Sequence, residues 1–509
     1  MKVVPAPFLA FAAIGLLGAA LCAGGTPSRA ATPARPSILL ILTDDQTVSL
    51  AGQMPNLRRL IAGRGATFTH AYYNDPLCAP SRATILTGRY AQNTGVLSNS
   101  YVAFAAAGDP GRTVAVALHG AGYRTALIGK YLNGYPARAG VEPGWDEWFV
   151  TLGDARAEYD YVMDDNGRPV TFGSAPQDYR TDVLAERAVG FVERSVAAGA
   201  PFYLQLAVTA PHVPAEPPPR YRDALPGLAV PRTPAFDEAD VSDKPAYVRD
   251  RPPLGPNLVA ALDATYRDQA RALLAVDDAI GRLVATLGAE RLADTYVVFT
   301  SDNGWMQGEH RIPSGKGLPY QPVLQMPLFV RGPTVTPGSR VDALVSNADL
   351  APTFVDWAGT TMPAAVDGRS FAPLLGGGSG GRQAEPIRYV TSGTTDGSRF
   401  PSWLGVKSTR YTYVEYADGE RELYDDVADP FQLTNIAGKV TPGLLLALAR
   451  RTFDLAACAG SSRTRRCRSL SSRGRHLGRL RRYASPEPPV SCCGMVSGRR
   501  ERHAPDAWP

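Results

Sequence analysis

The chain has 509 residues, of which 44% are hydrophobic and 20% are charged, and these values are ordinary for a globular protein and exclude a disordered one. A chain of this length accommodates one large domain and a smaller one. The formal net charge is +5, yet residues 461–509 hold 12 Arg against three acidic residues, while the rest has 41 basic and 45 acidic residues. The body is therefore slightly acidic, which excludes a general nucleic-acid-binding surface.

The N-terminus has the pattern of a secretory signal peptide, which we predict to span residues 1–30. Lys2 supplies the positive start, residues 8–21 form an apolar run, and Ala30 ends a small-x-small cleavage site. The apolar run is shorter than the roughly 20 residues that cross a bilayer. The sequence therefore predicts an exported protein, secreted or periplasmic, with no membrane span.

The cysteines are distributed very unevenly. Of the six cysteines, Cys22 lies in the predicted signal peptide and four lie at or beyond Cys458, so Cys78 is alone in residues 32–457. An exported protein with a single cysteine in its body is not a disulfide scaffold. The thiol of Cys78 therefore needs a chemical explanation.

The predicted elements of the body alternate between strands and helices. Strands are predicted over residues 37–43, 124–128, 202–208 and 295–300, and helices over 54–64, 80–87, 113–121, 182–196 and 258–287. This alternation predicts an α/β fold with a large, mostly parallel sheet that is sandwiched by helices. Residues 214–256 are rich in proline and charge, and they are predicted to form a long surface excursion.

A glycine-rich stretch at residues 376–381 reads as a linker. It separates a predicted catalytic domain, residues 36–375, from a C-terminal subdomain, residues 385–457. Short strands predicted over 388–391, 404–407, 411–416 and 422–424 make that subdomain a small antiparallel sheet. Residues 458–509 form a basic, irregular tail, for which a frameshifted C-terminus is the leading explanation and a glycan-capturing arm or a loosely solvated tail are the alternatives.

Polar side chains follow the predicted strands, at the edge of an α/β sheet where ligands bind. The residues at these strand ends are Asp44, Asp45, Lys130, His212, Asp302 and Asn303. Three carboxylates and an amide oxygen are the hard ligands that Ca²⁺ or Mg²⁺ prefers, and the thiolate–imidazole set typical of zinc is lacking. The sequence therefore predicts a convergent metal site at this edge.

The most specific motif begins at Cys78. The stretch CAPSR (residues 78–82), followed by ATILTGR (83–89), resembles the signature of the type I sulfatases, in which C-x-P-S-R directs oxidation of the cysteine to formylglycine. The resemblance covers about residues 36–440. It continues through DDQ (44–46), GKYLNGY (129–135), PGWDEW (143–148), APHVP (210–214), TSDNG (300–304), GEHRIPSGKGLPY (308–320), ADLAPTFVDWAG (348–359) and DGRSFAPLL (367–375).

This resemblance implies an alkaline-phosphatase-like fold and a sulfuric ester hydrolase. The implied nucleophile is a formylglycine hydrate at position 78, which forms a covalent sulfate intermediate and requires a formylglycine-generating enzyme for maturation. The implied cofactor is Ca²⁺, with Mg²⁺ as the alternative, held by Asp44, Asp45, Cys78, Asp302 and Asn303. The implied catalytic residues are Cys78, Arg82, Lys130, His212 and Lys316, and the implied substrate contacts are His310 and Asn133.

One position departs from the wider family pattern. Many sulfatases carry a histidine two residues after the lysine that corresponds to Lys130, whereas this chain has Leu132 followed by Asn133. The change resembles the branch that removes 6-sulfates from N-acetylglucosamine, which implies a sulfated amino sugar or glycan as substrate. It leaves open which group acts as base when the sulfate is eliminated.

Two other functions stay open at this point. A phosphodiester or phosphonate monoester hydrolase would share the fold and the metal site, because sulfate and phosphate esters are both tetrahedral anions. A non-catalytic glycan-binding protein would keep Cys78 unmodified and would bind through the basic tail.

Overall fold

A computed structural model describes residues 35–153, 156–390 and 400–457. The predicted signal peptide and the predicted basic tail lie outside these residues. Within the described part of the chain, no helix is both long enough and apolar enough to cross a membrane.

The described residues form strands in two regions of the chain. The strands are β1 (Ser37–Thr43), β2 (Ala66–Phe68), β3 (Ala71–Tyr72), β4 (Arg124–Gly129), β5 (Glu147–Thr151), β6 (Tyr161–Asp165), β7 (Arg168–Phe172), β8 (Phe202–Ala207), β9 (Thr295–Ser301), β10 (Leu328–Arg331), β11 (Ser339–Val341), β12 (Val345–Ser346), β13 (Glu385–Tyr389), β14 (Trp403–Lys407), β15 (Tyr411–Tyr416) and β16 (Arg421–Asp425).

Helices connect several of these strands. The α-helices are α1 (Val48–Ala51), α2 (Cys78–Thr87), α3 (Ala91–Thr94), α4 (Tyr101–Ala106), α5 (Val114–Gly120), α6 (Arg180–Ala197), α7 (Ala246–Arg249), α8 (Pro256–Ala293), α9 (Gln321–Leu324), α10 (Leu350–Trp357), α11 (Ala372–Leu375) and α12 (Pro442–Ala457). Helix α8 is interrupted at Gly288, whose φ of 63° lies outside the helical region.

The main sheet has ten strands in the order β11-β2-β10-β9-β1-β8-β4-β5-β6-β7. Its five central strands, from β9 to β5, pair in parallel. Strands β10, β6 and β7 pair antiparallel at the flanks. The predicted α/β class with a mostly parallel sheet is therefore confirmed, whereas the flanking strands were not predicted.

Both faces of the central sheet are covered by helices. Ile38, Leu40 and Leu42 of β1 pack on one face in a core shared with α2, α5 and α10. Leu39 and Ile41 point the other way, into a core shared with α6 and α8. Because β1 is buried on both faces, its uninterrupted apolar sequence is what a central parallel strand requires.

Residues 55–64 are helical, close to the predicted range of 54–64, but the helix is irregular. The structure has one π-helical turn (Leu57–Ile61) and one 3₁₀ turn (Ala62–Arg64). The carboxylate of Asp277 in α8 accepts the backbone N–H groups of Asn56 and Leu57, each at 2.8 Å. A side chain from a distant helix thus satisfies the amides at the start of this segment.

The C-terminal strands β13–β16 form a four-stranded antiparallel sheet, as predicted. Helix α12 packs on it through Leu445, Leu448 and Leu455, which meet Val406 and Tyr413. The glycine-rich stretch 376–381 before this sheet is exposed. This small sheet follows the large one in the chain and keeps its own apolar cluster.

Candidate active site

Four parallel strands end side by side at one edge of the main sheet. Thr43 at the end of β1 pairs with Ser301 of β9, and Ala207 of β8 pairs with both Leu42 and Gly129. The residues that follow these ends therefore emerge at the same edge, as predicted from the sequence. They are Asp44, Asp45, Lys130, His212, Asp302 and Asn303.

Cys78 lies at the first residue of α2, beside this edge. Leu77, which precedes it, has an extended backbone, so the helix begins at the cysteine itself. The backbone N–H of Ala79 donates to Asn99 Oδ1 at 3.0 Å, and the hydroxyl of Ser81 accepts from Asn347 Nδ2 at 2.9 Å. These two contacts hold the start of the helix, whose positive dipole end lies at residue 78.

The side chain of Cys78 is buried, with 1% exposure, and it touches charged groups of both signs. Lys316 Nζ lies 2.8 Å from its Sγ atom, and Asp44 Oδ1 lies 3.5 Å away. One ligand atom from each of Asp44, Asp45, Cys78 and His212 falls within 4.8 Å of the others. The structure thus brings the predicted nucleophile and two predicted metal ligands together.

Three carboxylates and three cations share the buried part of the site. Arg82 Nε donates to Asp302 at 2.8 Å, and its Nη2 lies 3.5 Å from Asp44. Lys316 Nζ donates to Asp45 at 2.5 Å. Lys130 also donates to Asp44. Charges buried at this depth are stable only when they are paired in this way.

The donor set fits a hard divalent cation. Asp45 Oδ2 and Asn303 Oδ1 are buried and accept no hydrogen bond, although Asn303 Nδ2 donates to the other oxygen of Asp45 at 2.5 Å. A buried carboxylate oxygen without a donor is costly. Since Ca²⁺ and Mg²⁺ bind through oxygens of this kind, the residues present match either ion.

Pairing shifts the pKa values of the charged groups. Burial raises the pKa of Asp44, but Lys130, His212 and Arg82 outweigh it and leave that pKa well below its usual value. Burial lowers the pKa of Lys316, but Asp45, Cys78, Asp44 and Asp302 together outweigh it, and the pKa lies well above its usual value. Both side chains are therefore charged throughout the physiological pH range.

The basic groups are the part of the site that solvent reaches. The side chains of Lys130 and Lys316 are each 13% exposed and that of His212 is 7% exposed, whereas Asp44 and Asp45 are fully buried. The mouth of the site, which we define as Lys130, Lys316 and His212, is therefore positively charged or polar. An anionic substrate meets these three groups first.

His212 has a fixed orientation. Its Nδ1 lies 2.6 Å from the carbonyl oxygen of Val213, so Nδ1 carries a proton and donates. The opposite nitrogen, Nε2, lies 3.4 Å from Asp45 Oδ2 and points into the cluster. The ring can therefore hold or release a proton at Nε2 next to the nucleophile.

The two residues predicted to contact the substrate, Asn133 and His310, lie in different surroundings. Asn133 follows β4 at 7% exposure, and its side-chain oxygen has no hydrogen-bond partner. His310 is 1% exposed, donates or accepts at Nδ1 with Glu238 at 2.5 Å, and packs on the ring of Tyr320. His310 thus lies outside the cluster, and its substrate contact stays a prediction.

The sequence did not single out several residues that the fold brings to the site. Asn99 and Asn347 hold the start of α2 through the contacts given above. Trp305 is half-buried beside the mouth, with its ring 6.4 Å from that of His212. Asn347 borders a stretch already noted for its family resemblance, and Trp305 directly follows TSDNG, but nothing in the sequence marked Asn99.

Asp75 is a further buried carboxylate, three residues before Cys78 in the sequence. Neither of its oxygens has a hydrogen-bond partner. Burial raises its pKa to about 8, and the nearby Arg388 offsets this only in part. Because this pKa is above that of an Asp in the unfolded chain, the folded state holds the proton more tightly. The contribution of Asp75 to the free energy of unfolding is therefore fully present at low pH and is lost as the pH rises towards 8.

We expect Asp75→Asn to stabilise the protein at high pH. The melting temperature should rise by on the order of 2 °C at pH 8 and hardly change at pH 4, because the amide cannot ionise. Thermal unfolding at both pH values measures this difference. The exposed Asp250 provides the matched control Asp250→Asn, and equal effects of the two variants at pH 8 would contradict the assignment.

Comparison with known proteins agrees with this geometry. Residues 36–360 match the sulfatase family model, and residues 308–448 match the model of the C-terminal region of N-sulphoglucosamine sulphohydrolase. The chain is 32% identical to N-acetylglucosamine-6-sulfatase of Homo sapiens, over 85% of this chain and 86% of that protein.

Two solved structures share the fold. One is a complex with its substrate, D-glucosamine-2-N,6-O-disulfate, at 25% identity and a TM-score of 0.69, covering 86% of this chain and 99% of that one. The other is the phosphonate monoester hydrolase of Silicibacter pomeroyi, at 25% identity and a TM-score of 0.63, covering 84% and 95%. The family match over most of the chain, together with the identity to a named sulfatase, shows that this chain belongs to the sulfatase family of enzymes.

Proposed function

We propose that this sulfatase hydrolyses a sulfate ester of an amino sugar or glycan, with formylglycine hydrate at position 78 as its nucleophile. The observation that carries the proposal is the placement of Cys78 at the start of α2, in contact with Lys316 and Asp44, below a mouth of three basic groups. The relatives support the substrate class, since the human protein at 32% identity is named for N-acetylglucosamine 6-sulfate.

An unmodified thiol is poorly suited to this position. Burial, followed by the adjacent Asp44, raises the pKa of Cys78 to about 12 despite Lys130 and Lys316. Catalytic cysteines instead have lowered pKa values, because the thiolate is the reactive form. The environment of Cys78 therefore argues against a thiolate nucleophile and is compatible with an oxygen nucleophile made from this residue by a formylglycine-generating enzyme.

The first step of the proposed reaction transfers the sulfuryl group to the enzyme. One hydroxyl of the hydrate releases its proton to solvent, the resulting oxyanion attacks sulfur, and the bond from sulfur to the sugar oxygen breaks. His212 donates its Nε2 proton to the departing oxygen, which leaves as the alcohol. Lys130 and Lys316 at the mouth hold the ester oxygens as charge redistributes.

The second step releases sulfate and regenerates the aldehyde. The remaining hydroxyl gives up its proton, a carbon–oxygen double bond forms, and the bond from that carbon to the sulfate oxygen breaks. His212 is neutral at Nε2 after the first step and is therefore the base that accepts this proton. Asn133 cannot accept a proton, so it would only hydrogen bond to substrate. Water then restores the hydrate.

The cation implied by the family would be held by Asp44, Asp45, Asp302 and Asn303 together with residue 78. When bound, such an ion polarises the oxygen nucleophile and stabilises its negative charge. Arg82, hydrogen bonded to Asp302, keeps the carboxylates in place and supplies a further positive charge near residue 78. We also propose a role for His310 in substrate binding. It would either contact the substrate directly or support the loop that carries Lys316.

We also infer that the mature protein is exported. The inference rests on the N-terminal pattern of a positive residue, an apolar run and a small-x-small site in residues 1–30. An exported location would give the enzyme access to extracellular sulfated glycans.

Hydrolysis of phosphonate monoesters is the second candidate function. The similarity to a phosphonate monoester hydrolase at 25% identity supports it, and both substrates are tetrahedral anions. The experiment that separates the two compares kcat/KM for glucosamine 6-sulfate, an aryl sulfate and an aryl phosphonate monoester. Preference for the sulfates, with the sugar ester cleaved, supports our proposal, whereas preference for the phosphonate overturns it.

We expect Lys316→Ala to lower kcat for a sulfate ester by about 10²–10³-fold, because the charge that holds the ester oxygens is removed from a buried site. Steady-state kinetics with glucosamine 6-sulfate measures the effect. The exposed Lys439 provides the control Lys439→Ala, which should leave kcat unchanged. A kcat for Lys316→Ala within about twofold of the native value would exclude this role.

A further inference from the structure

Trp305 differs from the other tryptophans of the described residues. Trp145, Trp148 and Trp403 are buried. Trp357 is half-buried, but Tyr296 stacks on it at 3.8 Å with an interplanar angle of 4°. Trp305 is half-buried, and within the described ranges its one aromatic contact is a tilted one with His212 rather than a stack.

The ring of Trp305 lies beside two of the three groups of the mouth. Its centroid is 6.4 Å from that of His212, with the planes tilted by 48°, and 5.7 Å from Lys316 Nζ. Both neighbours contact the buried cluster. His212 lies beside Asp45, and Lys316 contacts Asp45 and Cys78. The indole therefore lines the opening through which the alcohol half of a bound ester would extend.

The backbone that carries this ring is held by contacts with a neighbouring segment. The N–H of Trp305 donates to the carbonyl of Pro322 at 3.2 Å, and the N–H of Gly304 donates to that of Val323 at 3.1 Å. A Cβ at Gly304 would lie 2.0 Å from the carbonyl oxygen of Pro322, so only glycine allows this approach. Because the main chain is fixed here, only the side-chain torsions of Trp305 are left to be ordered when a substrate binds.

We propose that Trp305 is a specificity-determining residue that stacks on the sugar ring of the substrate. The proposal rests on the proposed function, and it names the surface that recognises the alcohol half of the ester. In that reaction His212 protonates the departing sugar oxygen, so the sugar lies next to His212 and hence next to the indole. The axial C–H groups on the face of a gluco-configured ring pack on an aromatic face, and the indole N–H can donate to a hydroxyl.

The same geometry could serve only to support Lys316 through a cation–π contact. The two roles differ in what they recognise, because stacking acts on the sugar and support of Lys316 acts on the sulfate. Competitive inhibition by free glucosamine probes recognition of the sugar, and inhibition by inorganic sulfate probes recognition of the sulfate. Both constants are measured with an aryl sulfate as the reporter substrate.

For Trp305→Ala, the inhibition constant of glucosamine should rise by about 10-fold, while that of sulfate stays within about twofold. Trp305→Phe should recover most of the affinity for glucosamine, and Trp305→Leu, a second non-aromatic variant, should behave like the alanine variant. Trp357→Ala, which removes a half-buried indole away from the mouth, is the matched control and should change neither constant.

Three results would overturn the proposal. An unchanged glucosamine constant in Trp305→Ala, in an enzyme that cleaves glucosamine 6-sulfate, would remove the stacking role and leave the proposed function intact. A rise in the sulfate constant alone would assign Trp305 to support of Lys316. If the native enzyme cleaves aryl sulfates but neither cleaves glucosamine 6-sulfate nor binds glucosamine, the amino-sugar substrate itself is wrong and the stacking proposal falls with it.

Discussion

Replacing Cys78 with alanine is expected to lower kcat by about 10⁴-fold or more, because it removes the atom from which the nucleophile is made. The side chain is buried and small, so the substitution should leave the fold intact, and four of the five residues predicted to hold the cation remain. Turnover of glucosamine 6-sulfate by the purified variant measures the loss. Thermal unfolding and metal content, compared with the native enzyme, show whether the variant is folded.

A serine at the same place gives a sharper result. Cys78→Ser supplies one hydroxyl, which can attack sulfur, but it has no second hydroxyl from which sulfate can be expelled. We expect a stable sulfated enzyme, heavier by about 80 Da, after incubation with an aryl sulfate. Full activity of Cys78→Ala would show that residue 78 is not the nucleophile. It would instead favour direct attack of water on sulfur.

Loss of one carboxylate from the predicted metal site should have the second large effect. Asp45→Asn keeps the size of the side chain but removes the charge of a group whose Oδ2 accepts no hydrogen bond. We expect the affinity for Ca²⁺ to fall by about 10²-fold, with turnover partly recovered at high Ca²⁺. Titration of chelator-treated enzyme with Ca²⁺, followed by calorimetry and by activity, measures both quantities.

Two comparisons make the metal experiment decisive. Asp250→Asn, at a carboxylate that is 76% exposed, should leave the Ca²⁺ titration unchanged. Asp45 also pairs with Lys316, so kcat at saturating Ca²⁺ separates the loss of that pair from the loss of metal affinity. A native enzyme that stays fully active after its bound metal has been removed would exclude a catalytic cation.

Much of the site could be predicted because its residues follow apolar strands. The run of residues 37–43 ends at Asp44, and residues 295–300 end shortly before Asp302, so the strand pattern alone placed both acids at one edge of the sheet. Strand β7, at one flank, was missed for a physical reason. Residues 168–172 of β7 are mostly exposed and lack the alternation or the apolar run by which strands are recognised.

Other features could not be predicted because they depend on contacts between segments that are distant in the sequence. His310 follows a motif near the site, yet it and Arg311 adopt positive φ angles of 52° and 60°. The ring turns towards Glu238, which belongs to the segment predicted as a surface excursion. That segment also buries Lys244 against Glu238 at 3.2 Å. No local pattern pairs these residues, because the pairing exists only in the folded chain.

The central claim is that Cys78 becomes formylglycine, and mass spectrometry of protein from its natural host tests it most directly. Trypsin should release residues 65–82, a peptide whose one cysteine is Cys78. We predict a peptide lighter by about 18 Da than the cysteine form, and an aldehyde-specific probe should label it even when the hydrate hides the mass change. A peptide that is fully alkylated as an unmodified thiol, from active enzyme, would contradict the account.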